Sequence, residues 1–72
     1  MQRFFVEPHQ IDEEAHQIHI TGSDVNHISN VLRMKTGEEL WISDGSKYEY
    51  RCTIESFEPD EVLLHIVYSQ EP

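Results

Sequence analysis

The run Leu40-Trp41-Ile42-Ser43-Asp44-Gly45-Ser46-Lys47-Tyr48-Glu49-Tyr50-Arg51-Cys52-Thr53-Ile54-Glu55 decides the fold. It begins apolar and reaches Asp44-Gly45, a strong hairpin signal when strands flank it. Beyond that turn, Tyr48, Tyr50, Cys52 and Ile54 alternate with Glu49, Arg51, Thr53 and Glu55. A period of two sends the first set to one face of a strand and the charged set to the other. The stretch therefore predicts a β-hairpin with one buried face.

Working outward, Glu58-Pro59-Asp60-Glu61 reads as a turn into Val62-Leu63-Leu64-His65-Ile66-Val67-Tyr68. The continuous apolarity of that strand suggests cover on both faces or a place in the sheet centre. Upstream, Arg3-Phe4-Phe5-Val6 is a first strand ended by Pro8, Gln10 to Ala15 is a polar loop, and His16 to Ile20 alternates as a second strand until Thr21-Gly22. Ser23 and Asp24 are a helix start signal. Val25, Ile28 and Leu32, widened by Val31, then recur at helical spacing, which predicts a helix over about Asp24 to Leu32 that ends near Met34. Gly37 helps the chain turn away afterwards. The order β, β, α and a three-strand meander points to an α+β fold, mostly β, in which a curled antiparallel sheet is plugged by one helix. Trp41 and Phe57 are assigned to the core, with base stacking as the other role open to them. The polar stretch 69–72 reads as the start of a linker, so the folded part spans about residues 1–68.

The 72 residues suffice for one small domain. Cys52 is the single cysteine, so no internal disulfide can staple it. Five Lys and Arg against fourteen Asp and Glu give a net charge of -9, which argues against a broad positive field for nucleic acid or anionic membrane. No apolar run approaches the roughly 20 residues of a bilayer span. Arg3 leads into a strand-like run rather than a targeting segment, and the expected setting is cytoplasmic.

Five histidines invite a metal site, but His16 and His19 lie three apart on a strand, which places them on opposite faces, and no ligand set completes them. No metal and no catalytic residue is assigned: Cys52 falls on the apolar face, where a thiol is an inert small hydrophobe. The informative feature is where the few cations fall. Arg33 and Lys35 follow the helix, close to His27 and Asn30, as a local basic and polar patch on an acidic chain. Such a patch can hold phosphate through the arginine and lysine while histidine and asparagine donate to sugar or base. The alternative role for Arg33 and Lys35 is capping of the helix C-terminus, where cations complement the macrodipole.

The opening Arg3-Phe4-Phe5, the block from His27 to Leu40 and the Asp44-Gly45 turn before Tyr48-Glu49-Tyr50 together resemble the N-terminal domain of the RsmE family, bacterial methyltransferases that act at N3 of a uridine in small-subunit ribosomal RNA. The resemblance runs over nearly the whole chain in the same order. It implies a PUA-like β-barrel domain that helps to recognise RNA. In the family this domain is joined to a knotted SPOUT methyltransferase domain, which binds S-adenosylmethionine and forms the homodimer. That domain is absent from these 72 residues, which implies a chain with no cofactor and no catalysis of its own. Carried over position by position, Arg3, His27, Arg33 and Lys35 form the expected RNA-facing set, with Asn30 as a further member. The pattern departs at Asn26, where a first histidine is usual, at Glu38 in place of aspartate, and at Ser46-Lys47, which lacks a glycine. The alternative expectation is an interaction module that packs through its acidic face on the methyltransferase domain or on a ribosomal protein.

Overall fold

The computed structural model describes residues 2–71. Six strands, β1 (Arg3–Phe5), β2 (Ile11–Asp12), β3 (Gln17–Ile20), β4 (Glu39–Ser43), β5 (Glu49–Phe57) and β6 (Val62–Gln70), form one sheet in the order β1-β4-β5-β6-β3-β2. The sheet curls into a half-barrel, as the patterning predicts. All neighbours are antiparallel except β1 and β4, which run parallel with Arg3 opposite Trp41. Between β3 and β4 lie a short helix α1 (Ser23–Asn26) and a π turn (His27–Val31) that continues it. Among the described residues no helix is long and apolar enough to cross a membrane.

Strand register assigns each side chain to a face. Phe4, Ile42 and Tyr50 align across three strands, as do Leu40, Cys52 and Ile66, and these rows point into the concave core. Ile28 closes that core from the helical side and is fully buried, with Val25, Leu32 and Met34 packed around it. The expected stripe is therefore present, apart from Val31, which is 60% exposed. The π turn is the reason: Leu32 donates its N–H to the His27 carbonyl at 2.8 Å, five residues back, so the spacing that would bring Val31 inward in an α-helix no longer holds.

Several further expectations are corrected. The helix begins at Gly22 as N-cap, with no side-chain bond from Ser23 or Asp24. The helical segment ends at Val31 with Leu32 as C-cap, close to the expected end near Met34; Arg33 takes the left-handed region at φ 52, and Met34 donates its N–H back to the Ile28 carbonyl at 3.0 Å. The hairpin loop spans Asp44 to Tyr48, stitched by the Ser46 N–H to Asp44 Oδ1 and the Tyr48 N–H to Ser46 Oγ, so Tyr48 sits outside the strand and is exposed. Glu49, expected on the solvated face, is buried against Arg3. Gln10 to Ala15 is not all loop, because the 3-10 turn Pro8–Gln10 runs into β2, which pairs with β3. β6 is central in the sheet, yet only one of its faces is buried. Ser69 and Gln70, read as linker, pair with Tyr50 and Glu49 at the end of β6; Pro72 lies outside the described residues. Trp41 is half-buried on the outer face of the sheet and Phe57 is exposed, so neither is core.

Candidate RNA-recognition surface

The five cations divide into two groups by what they touch. Arg3 pairs with Glu49, Arg51 with Glu39 at 2.8 Å, and Lys47 with Glu71 at 3.4 Å. Among the described residues, no carboxylate lies within ion-pair distance of Arg33 or Lys35, and both side chains are exposed. An arginine or lysine tied to a neighbouring carboxylate has little charge left for a phosphate, whereas these two have all of it.

The backbone around them is held from both sides. Arg33 occupies the left-handed cap position, an unusual place for a side chain with a Cβ. The following turn closes on itself: Lys35 donates its N–H to a Glu38 carboxylate oxygen, and Glu38 donates its N–H to the Lys35 carbonyl at 3.1 Å. Gly37, at φ 87, donates to the Ile54 carbonyl at 2.8 Å, and Ile54 donates back to the Glu38 carbonyl at 3.0 Å, which fastens the loop to β5. Only glycine adopts that φ without strain.

His27 and Asn30 lie upstream of this loop, on the helical segment. The exposed His27 ring stands edge-on to Phe4, with centroids 6.0 Å apart. Asn30 Nδ2 donates to Asn26 Oδ1 at 2.7 Å, one turn earlier. His27, Asn30, Arg33 and Lys35 thus lie along one continuous stretch, from the π turn to the loop. Arg3 does not join them. It points to the opposite face of β1 from Phe4, in a row with Trp41, Arg51 and Tyr68 that crosses four strands. There the Arg51 guanidinium lies 5.3 Å from the Trp41 ring centroid, and Tyr68 meets Trp41 edge-on at 6.1 Å.

Beside the helical stretch runs an open groove of about 590 Å³, walled by Val25, Asn26, Ser29 and Asn30 on one side and by the β5–β6 turn, Glu58 to Asp60, on the other. Sequence reasoning missed it because its walls are some thirty residues apart; the one local signal was the spacing of four between Asn26 and Asn30. Two buried titratable groups, Cys52 and Tyr50, are structural. Burial pushes the Cys52 thiol up to about 12, which keeps it protonated and unreactive. Burial, then the Glu13 carboxylate, pushes Tyr50 up to about 12. Among the described residues no group of three or more His, Cys, Asp or Glu is placed to hold a metal ion.

Comparison with known proteins follows the same lines. The sequence profile of the RNA methyltransferase PUA domain matches residues 20–67. Ribosomal RNA small subunit methyltransferase E of Bacillus subtilis strain 168 is 40% identical over 68 residues, covering 93% of this chain and 27% of that protein. A crystal structure of a hypothetical protein superposes with a TM-score of 0.80 at 35% identity, over 93% of this chain and 28% of its own. Ribosomal RNA small subunit methyltransferase E from Neisseria gonorrhoeae, bound to S-adenosyl methionine, superposes with a TM-score of 0.75 over 97% of this chain and 28% of its own; at 20% identity that likeness is one of fold. The chain spans little more than a quarter of the length of these relatives.

Proposed function

The chain belongs to the family of RNA methyltransferase PUA domains, and from that premise we propose that it recognises RNA through the surface that runs from His27 to Lys35. Arg33 and Lys35 hold phosphate, one as a fork and one as a point charge, and His27 and Asn30 stand near sugar or base. The observation that carries this reading is that these two cations alone, among the described residues, have no carboxylate partner. Arg3, engaged with Glu49 on the other face of β1, is left out of the phosphate-binding set. The test is fluorescence anisotropy of the 72-residue chain with a labelled single-stranded segment of small-subunit ribosomal RNA. Binding should be weak and should drop when Arg33 and Lys35 are changed to alanine together; unchanged affinity in that variant rejects the reading.

We further infer that the protein of which this domain is part methylates N3 of a uridine in small-subunit ribosomal RNA in the cytoplasm, as a SPOUT-type homodimer. The resemblance to the RsmE family and the Bacillus subtilis relative support this. S-adenosylmethionine would supply the methyl group. The residues present do not suit it, because their clefts are open surface grooves rather than an enclosed, mostly apolar slot. No residue here is assigned to it, and the domain is read as a recognition module without catalysis of its own.

A second reading, as a module that packs on another protein, rests on the outer sheet face, where Phe5, Val67 and Tyr68 are 56%, 49% and 44% exposed. Phe5→Ser/Tyr68→Ser with unchanged association to the rest of the parent protein would remove it.

A further inference from the structure

The groove beside the helix has a lining that matches neither phosphate nor an apolar ligand. Glu58 and Asp60 bring two carboxylates to one wall, and among the described residues neither has a cation within ion-pair distance. The Glu58 N–H donates to the Glu61 carbonyl at 2.8 Å, which holds the turn that carries them. On the facing wall, the bond from Asn30 Nδ2 to Asn26 Oδ1 fixes the two amides as a unit. That bond leaves Asn30 Oδ1 as an acceptor and Asn26 Nδ2 as a donor for something else. Val25 and Pro59 supply apolar surface. A phosphate would meet two negative charges here. A group rich in N–H donors, with a flat apolar face, would meet acceptors and a place to lie.

Asn30 also belongs to the recognition surface, and Arg33 follows it by three residues, so this groove and the cationic loop are adjacent in the chain. We propose that the groove takes the hydrogen-bonding edge of one unpaired nucleobase that bears an amino group, while the flanking phosphates stay at Arg33 and Lys35. The proposal rests on the RNA reading above and adds to it a base-specific subsite. Single-stranded RNA exposes its base edges to protein side chains in this way, and carboxylates and amides are the groups that read amino and imino N–H. Guanine, whose N1–H and amino N–H lie side by side, offers a carboxylate two donors. Uracil, with one imino N–H between two carbonyls, offers fewer donors and sets its oxygens against Glu58 and Asp60. The groove therefore favours guanine over uracil.

The experiment compares three labelled heptamers by anisotropy: heptauridylate, the same strand with a central guanosine, and the same strand with a central abasic site. The guanosine strand should bind about tenfold more tightly than the other two, as expected for one well-read base. The preference should vanish in Asn26→Ala and in Asp60→Asn. Arg33→Ala/Lys35→Ala should weaken all three strands alike and keep their ratio. Asp60 is exposed and its replacement is isosteric, so that variant decides the matter if Asn26→Ala fails to fold. Equal affinity for the three strands overturns the base subsite and leaves the RNA reading intact, provided that Arg33 and Lys35 still matter. A guanine preference that survives both groove variants also overturns it, since another surface is then reading the base. Binding that ignores Arg33→Ala/Lys35→Ala overturns the RNA reading itself.

Discussion

Replacing Arg33 and Lys35 together with alanine should flatten the salt dependence of RNA binding, and the structure sets the size of the effect. Each phosphate neutralised on a single strand contributes about 0.7 to the slope of log affinity against log salt. Three of the five cations are engaged with Glu49, Glu39 and Glu71, which leaves two phosphate contacts. The slope should then be about -1.4, so that affinity falls only about sevenfold between about 50 and about 200 mM salt. If all five cations met phosphate, the slope would be about -3.5 and the loss over the same interval about 130-fold. The two cases are far apart in an anisotropy titration. Single alanine variants should each remove about 0.7 from the slope, and the double variant should bring it close to zero. A slope near -3.5, or a slope of about -1.4 that persists in the double variant, refutes the assignment.

Other consequences test the fold and the individual residues. Ile28→Ala should cost about 2–5 kcal/mol in urea unfolding, because Ile28 is the fully buried contact of the helical segment with the core; a cost below about 1 kcal/mol would show that the helix is not anchored there. Arg33→Gly should raise stability by about 0.5–1 kcal/mol by relieving the left-handed backbone, while it lowers RNA affinity; a loss of stability would contradict the cap geometry. Arg3→Ala should destabilise by about 1–3 kcal/mol, since it leaves the Glu49 carboxylate, whose side chain is 10% exposed, without its partner; an effect on RNA affinity with none on stability would reverse that order. Tyr50 should ionise near 12 in a spectrophotometric titration, and Glu13→Gln should bring it down toward 10. Its folded value lies above its unfolded one, so its contribution to stability is complete below pH 10 and is lost as the pH rises toward 12; a normal titration at pH 10 would count against the burial of its hydroxyl.

Local pattern carried what was legible. The alternation through Tyr50, Cys52 and Ile54 gave the buried face of β5 directly, and Val25, Ile28 and Leu32 gave the inward side of the helix, because each signal lies within a single element. Val31 failed because the π turn changes the rotation per residue, which α-helical spacing does not anticipate. Glu49 failed for a longer-range reason: only the parallel docking of β1 on β4 brings Arg3, forty-six positions away, to cover it. β2, two residues long, is too short to show a period. Of the candidate site, Arg33 and Lys35 were legible as neighbours in sequence, but that they alone, among the described residues, lack carboxylate partners depends on where three glutamates fold. The same distance in sequence separated Arg3 from the rest of the expected set and hid the groove.

On the proposed reading, a chain of charge -9 that binds RNA must do so without attracting it from afar. At physiological salt, fields fade over about 8 Å, so Arg33 and Lys35 act only on a strand that is already close, while the carboxylates beyond them oppose its approach. The domain then has no means of fast capture. What it can do is discriminate: two phosphate contacts fix the register of a strand, and the helical segment and the groove beside it test what that strand presents. Such a module gains its effect from tethering, because linkage to a second RNA-binding part raises its local concentration without a new contact. The relatives, about three and a half times as long as this chain, have room for that second part. Weak, salt-tolerant binding by the isolated chain is thus what this charge distribution requires, and tight binding by the isolated domain would mean that the acidic surface, not the cationic loop, had been misread.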